Sequence, residues 1–120
     1  MDRSYKKKLQ TQFFVHYMRQ NIFTVIASGD SMIPAISEGD ILTVKVIKEH
    51  DQIKIGDIIF VKNPILLTEN LFIAHRLLKV IENDFIAKGD NCSHADPKIS
   101  FSNVIGVVEH IQRKGANNDS

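Results

Sequence analysis

Hydrophobic residues follow two different patterns along this chain, and the change falls near residue 21. From residue 22 onward, short runs of β-branched and aromatic residues are separated by turn signals, a pattern typical of β-strands. The Gly-Asp pairs at residues 39–40, 56–57 and 89–90 end or begin such runs, where glycine supplies the positive φ that tight turns often need. Residues 22–112 are therefore predicted to form one mainly β domain. The predicted strands are "IFTVIAS", "DILTVKVI", "DIIFVKN", "LFIAHRLLKVI", "DFIAKGD" and "VIGVVEHI".

Residues 1–21 contain no Gly or Pro and place Leu9, Phe13 and Tyr17 on one helical stripe. This spacing predicts a short amphipathic helix or arm, which makes the overall class α+β. Two roles stay open for it. It packs against its own domain, or, because three consecutive lysines precede the aromatic residues, it docks to a membrane surface or a partner. The polar residues 113–120 are predicted to be a disordered tail.

Composition narrows the functional classes. A chain of 120 residues suits a single domain, and a net charge of +1 gives no electrostatic reason to expect nucleic acid as a partner. The single cysteine, Cys92, excludes an internal disulfide framework and cysteine-rich zinc sites. No apolar run approaches the roughly 20 residues of a transmembrane helix, and no signal peptide is apparent. We therefore expect a soluble, cytoplasmic protein.

The stretch "ASGDSMIPAISEGD" contains Ser31 directly after a turn. A serine hydroxyl is a poor nucleophile unless a base removes its proton and a third group orients that base. His75 is a candidate base because it interrupts an apolar strand, where alternation places it on the same face as Ile73 and Leu77. An ionisable ring among apolar neighbours needs a hydrogen-bonding partner.

The segment "KGDNCSHADP" offers such a partner. Asp90, Cys92, His94 and Asp96 alternate, so an extended backbone would place all four on one face, and a metal site has to be considered. The spacing matches neither an EF-hand nor a recognised zinc motif, so no metal and no cofactor are predicted. A turn in which Asp90 and Asn91 bind backbone groups is the simpler interpretation, and it leaves Asp96 to orient His75.

Taken together, these segments resemble the clan of signal peptidase I and LexA-type peptidases. "SGDSMIPAISEGDIL" resembles its serine box, and "IKIGDIIFVKN" the strand that follows. "IAHRLLKV" is similar to the His-Arg box of the endoplasmic-reticulum-type signal peptidases, and "IAKGDNCSHADP" to the Gly-Asp-Asn box. The resemblance covers about residues 22–111. It implies a coiled, partly barrel-like antiparallel sheet with one N-terminal helix.

The resemblance also implies catalytic roles. Ser31 would be the nucleophile, His75 the general base and Asp96 the acid that orients the ring. The Ser31 N–H would be one oxyanion donor. The implied function is a serine endopeptidase that cleaves a leader or precursor peptide after a small residue.

Three further residues would support that site. Asp90 would contact the catalytic residues rather than the substrate, or share with Asp96 the role of orienting His75. Met32 and Pro34 would shape the substrate cleft. The chain departs from the family at Gly29, where many relatives carry a serine that lines the oxyanion hole.

Two alternatives remain. A self-cleaving regulator of the LexA or UmuD type would use a lysine base and an Ala-Gly or Cys-Gly bond upstream of the serine. Here the corresponding base is His75, and residues 1–28 contain no glycine. A catalytically silent peptide-binding module of the same fold is the second alternative.

The predicted base has a consequence for pH dependence. A lysine base must lose about three pKa units to work near neutrality, whereas a histidine side chain titrates near 6.5. Peptidase activity is therefore expected to fall below about pH 6 as the imidazole is protonated, measured as kcat/KM against pH. A profile that stays flat from about pH 5 to 8 would contradict a histidine base.

Overall fold

The computed structural model describes residues 21–63 and 71–115, which form an antiparallel sheet of seven strands in the order β1-β2-β7-β3-β4-β5-β6. All six predicted strands are present, and the mainly β fold class is confirmed. The additional strand, β6, has only two residues, too few to produce a recognisable pattern. The strands are β1 Ile22–Ile26, β2 Ile41–Val46, β3 Ile58–Lys62, β4 Phe72–Ile81, β5 Asp84–Lys88, β6 Ile99–Ser100 and β7 Val104–Gln112.

Helices in the described part of the chain are two 3-10 turns, His50–Gln52 and Phe101–Asn103. Within residues 21–63 and 71–115, no helix has the length and apolar character needed to cross a membrane. The predicted N-terminal helix or arm covers residues 1–21, and residues 1–20 of it lie outside the described residues.

Strand β3 is buried on both faces and joins two hydrophobic cores. Ile58 and Phe60 belong to one core, which contains buried side chains of β1 and β2. Ile59 and Val61 belong to the other, which contains buried side chains of β4, β5 and β6. Because successive side chains of a strand point to opposite faces, the two halves of the sheet cover opposite faces of β3. The sheet is accordingly curled rather than flat, as a half-barrel.

The Gly-Asp pairs before β2 and β3 build the same turn twice. Gly39 and Gly56 have φ values of 91° and 97°, a region that side chains disfavour. In each turn the aspartate carboxylate accepts a hydrogen bond from the backbone N–H three residues earlier, at 2.8 Å for both Asp40 and Asp57. The sequence similarity of these two segments therefore reflects a shared turn.

Asp40 differs from Asp57 because it is buried, with only 1% of its surface exposed. Besides the bond from Ser37, its carboxylate accepts hydrogen bonds from the Lys114 N–H and from Arg113 Nη1, both at 2.8 Å. The sequence placed Arg113 and Lys114 in a disordered tail. The structure instead holds both against Asp40, because a buried carboxylate requires partners for its lone pairs. Residues 116–120 lie outside the described residues.

These contacts change the ionisation of Asp40. Burial alone would raise its pKa, but hydrogen bonds from Ser37, Lys114 and Arg113, with the Arg113 charge, together hold the pKa below its usual value. A carboxyl whose pKa is lower in the folded state stabilises the fold above its unfolded pKa, which is near 4. That contribution is lost as the pH falls through the lower, folded value.

We therefore predict that Asp40→Asn lowers the free energy of unfolding at pH 7 by about 3 kcal/mol, because it breaks charge-assisted hydrogen bonds to a buried group. Urea unfolding followed by circular dichroism measures the change. Asp57→Asn is the matched control and should cost about 1 kcal/mol or less. The gap between Asp40→Asn and wild type should narrow below about pH 4, and an equal loss in both variants would contradict the role of Asp40.

Candidate active site

Ser31, His75 and Asp96 come together in the structure although they lie far apart in the sequence. His75 Nε2 is 3.0 Å from Ser31 Oγ, and His75 Nδ1 is 2.5 Å from Asp96 Oδ2. Both distances are within hydrogen-bonding range. A carboxylate can only accept a hydrogen bond, so its position beside Nδ1 favours the tautomer with the proton on that nitrogen. Nε2 is then able to accept a proton from the serine hydroxyl.

Strand β4 determines the position of His75. The residue pairs with Ile59 in the centre of the sheet and is 7% exposed. Ile73 and Leu77, on the same face, pack in the core that also contains Ile59, as the alternation predicted. A cavity of about 30 Å³ adjoins His75 and Asp96 and is walled largely by apolar side chains, including Ile59 and Ile73. The ring is held in its orientation by strand pairing, by burial and by its contacts with Ser31 and Asp96.

Asp96 is positioned by its backbone. Its N–H donates to the Ala87 carbonyl in β5 at 2.8 Å, and Pro97 follows, which restricts the conformation of the residue before it. The side chain is 29% exposed. Asp96 thus reaches His75 from a segment attached to the strand next to β4.

Ser31 lies in the loop between β1 and β2, which we call the serine loop (residues 27–40). Backbone bonds between Ala27 and residues 39 and 40 close its base, at 2.8 Å each. Ser31 is half-buried, and its N–H donates to no acceptor in the described part of the chain. A hydroxyl and a free N–H from one residue are therefore available at the same point.

Asp90 does not contact His75 directly. It forms a two-pronged ion pair with Arg76, with Nε–Oδ1 and Nη2–Oδ2 distances of 3.1 and 2.6 Å. The hydrogen bond from Arg76, with its charge, lowers the pKa of the Asp90 carboxyl against the opposing effect of burial. Arg76 also donates to the Gly56 carbonyl at 3.0 Å. Asp90 is therefore bound to Arg76, the residue after His75, and the carboxylate at His75 Nδ1 is that of Asp96.

Gly89 permits the close approach of three groups. A Cβ added there would lie 2.6 Å from Cys92 Sγ, 2.7 Å from the Ser31 carbonyl oxygen and 3.1 Å from His75 Nε2. Any side chain at position 89 would therefore push Ser31 and His75 apart.

The structure shows contacts at the site that the sequence did not predict, and they involve Arg76, Gly89 and Asn91. The pairing of Arg76 with Asp90 needs two distant segments to meet, which no local pattern reports. Asn91 was interpreted as a turn residue that binds backbone groups, and it does donate from Nδ2 to the Asp30 carbonyl at 3.0 Å. The pattern did not show that this carbonyl belongs to the serine loop.

A cleft of about 220 Å³ opens beside Ser31 and His75. Met32 contributes to its wall and is 3% exposed, whereas Pro34 is exposed and does not line the cleft in the described part of the chain. Apart from His75, none of the described residues that line it has an ionisable side chain. The lining residues are Val25, Ile26, Ala27, Ser28, Gly29, Ser31, Met32, Ile36, Leu42, Phe60, Phe72, Ile73, Ala74 and His75.

The alternating residues of "DNCSHAD" do not converge on one point. Residues 90–98 form a turn and irregular backbone rather than a strand, so their side chains do not share a face. Asp90 pairs with Arg76, Asp96 contacts His75 and His94 is exposed. Among the described residues, no group of three His, Cys, Asp or Glu side chains is arranged to hold a metal ion.

Comparison with known families identifies one match. The model of the family described as "Peptidase S24-like" matches residues 2–109 of this chain. It confirms the resemblance to the clan of LexA and the signal peptidases, while the endoplasmic-reticulum-type branch remains a prediction. No curated protein matches the sequence significantly.

The contacts of Gly89 generate a prediction. Gly89→Ala should slow modification of Ser31 by a fluorophosphonate at least about tenfold, because the new methyl group displaces the Ser31 carbonyl and the His75 ring. Mass spectrometry measures the modification, and circular dichroism verifies the fold. Cys92→Ala removes the thiol but leaves the Ser31 carbonyl and the His75 ring in place. Combined with Gly89→Ala in a double variant, it should therefore not restore the rate. Full reactivity of Gly89→Ala would show that the close approach is unimportant.

Proposed function

This chain belongs to the Peptidase S24-like family, and we propose that it is a serine endopeptidase that cleaves a leader or precursor peptide by a Ser-His-Asp mechanism. The observation that carries the proposal is the continuous chain of hydrogen bonds from Ser31 Oγ through His75 to Asp96. A turn serine and a structural histidine need no such arrangement. Among signal peptidases, the proposed relationship is to the histidine-dependent branch.

In the proposed reaction, Ser31 Oγ attacks the carbonyl carbon of the scissile peptide bond while His75 Nε2 takes its proton. The Ser31 N–H donates to the oxyanion that develops. His75 then returns the proton to the leaving amine, which leaves an acyl-enzyme on Ser31. Water, deprotonated by His75, hydrolyses the ester and regenerates the serine. Asp96 holds the ring and stabilises its protonated form during both steps.

The cleft suggests how a peptide would bind. Val25–Gly29 form one side, and Phe72–His75 form the other. In the described part of the sheet, β1 pairs only with β2, so its outer edge is available to an extended peptide. The described walls are predominantly apolar, and none of the described lining residues carries a charged group that would bind an acidic or basic side chain. We therefore propose an uncharged residue before the cleavage site, and the resemblance to the family implies that this residue is small.

The function is tested with an activity-based fluorophosphonate and with a library of unlabelled peptides analysed by mass spectrometry. Wild type should be labelled on Ser31 and cleave after small residues. Ser31→Ala and His75→Ala should each lose activity by roughly 10³-fold or more, and Asp96→Asn by a similar factor because it favours the wrong tautomer.

Asp84→Asn is the matched control for Asp96→Asn, since Asp84 is an exposed carboxylate that pairs with Lys98 at 3.5 Å away from the site. It should retain wild-type activity. If Ser31→Ala cleaves peptides as well as wild type does, the peptidase proposal is wrong. If wild type binds peptides without cleavage or labelling, the chain is a binding module with this fold.

A further inference from the structure

Asn91 makes two hydrogen bonds to the serine loop. Its backbone N–H donates to the Ser31 carbonyl at 2.7 Å, and its side-chain Nδ2 donates to the Asp30 carbonyl at 3.0 Å. These two carbonyls lie on either side of the nucleophile. The peptide units before and after Ser31 are therefore both attached to one residue from a distant segment.

The side-chain bond has a consequence for the opposite end of the same peptide unit. The Asp30 carbonyl and the Ser31 N–H belong to one planar trans peptide, so they point in opposite directions. A donor that holds the carbonyl on one side therefore fixes the direction of the N–H on the other. It also polarises the peptide, which strengthens the N–H as a donor. That N–H is the group without an acceptor in the described residues.

A second donor to the Asp30 carbonyl does not replace this contact. The Ile33 N–H donates to the same oxygen at 3.3 Å, but Ile33 lies in the serine loop itself and moves with it. Asn91 belongs to a different segment, and it is the residue that connects this peptide unit to the rest of the sheet.

The segment that carries Asn91 is itself firmly held. Its neighbour Asp90 is paired with Arg76 of β4, and the Asp90 N–H lies 3.2 Å from Met32 Sδ. The Cys92 N–H donates to the Gly89 carbonyl at 3.0 Å and closes the turn. Arg76 directly follows His75 in β4. The proposed base and the ion pair that holds the residue before Asn91 therefore come from adjacent residues of one strand.

We propose that Asn91 is a positioning residue that aims the Ser31 N–H at the developing oxyanion, an inference that rests on the proposed peptidase function. Asn91 acts through the Asp30–Ser31 peptide and does not touch the substrate. It therefore affects stabilisation of the transition state and leaves substrate binding unchanged.

Asn91→Ala and Asn91→Asp test this role. Both remove the side-chain donor, and the aspartate retains the size of the asparagine. Each should lower kcat about tenfold or more with KM changed less than about twofold, because the interaction matters only in the transition state. In Asn91→Ala the pH midpoint of kcat/KM should stay at its wild-type value, since that change adds no charge and does not alter the contact between His75 and Asp96.

Asn103→Ala is the matched control, because Asn103 Nδ2 also donates to a backbone carbonyl, that of Lys62, at 3.3 Å. It should keep wild-type kcat at a similar cost in melting temperature. A wild-type kcat in Asn91→Ala, or an equal loss in Asn91→Ala and Asn103→Ala, would overturn the positioning role and leave the peptidase proposal standing.

A measurement without substrate separates the two proposals. The Ser31 amide proton should change its chemical shift and exchange faster with solvent in Asn91→Ala than in Asn103→Ala, measured by ¹⁵N–¹H NMR. If wild type neither cleaves nor labels, the proposed function fails, and this amide measurement still decides whether Asn91 orients the peptide. An unchanged Ser31 amide would overturn that orientation.

Discussion

The hydrogen bond between Ser31 and His75 joins residues 44 positions apart, and the surrounding structure keeps those two atoms 3.0 Å apart. In the proposed mechanism this contact would tolerate little displacement, since misplacement by about 1 Å is enough to lower a rate by about 10²-fold. His75 lies in the centre of the sheet, so its position is determined by strand pairing and core packing. Ser31 lies in a loop, and its position has to be secured by specific contacts.

The serine loop is held from two sides. On one side, the buried carboxylate of Asp40 is bound by Arg113 and the Lys114 N–H, and Arg113 also donates to the Pro34 carbonyl at 2.7 Å. On the other side, Asn91 holds the peptides next to Ser31. The contacts of Asp40 involve a buried charge and therefore contribute to the stability of the fold. The contacts of Asn91 lie beside Ser31 and determine how its peptide units are oriented. Stability and reactivity of this loop are thus expected to respond to different substitutions.

Local patterns explain why much of the fold was predictable. Short runs of β-branched and aromatic residues identified β1 to β5 and β7, and Gly-Asp pairs identified turns, because both signals arise within a few residues. Local patterns made His75 a candidate base and left Asp96 to orient it, whereas the assignment of both to a site with Ser31 came from the resemblance of the ordered boxes to a family. Local patterns did not predict the ion pairs of Arg76 with Asp90 and of Arg113 with Asp40, since each joins segments whose proximity is set by the sheet order.

The residue types at positions 75 and 96 depend on each other. A histidine separates two tasks onto two nitrogens, because Nδ1 bonds to the Asp96 carboxylate while Nε2 faces the serine. A lysine has one nitrogen for both tasks, and a carboxylate beside it would stabilise the charged ammonium, which cannot accept a proton. The aspartate that orients an imidazole would therefore hinder a lysine base. The position of Asp96 beside Nδ1 therefore favours the proposed histidine-dependent mechanism over a lysine-dependent one, independently of the family resemblance.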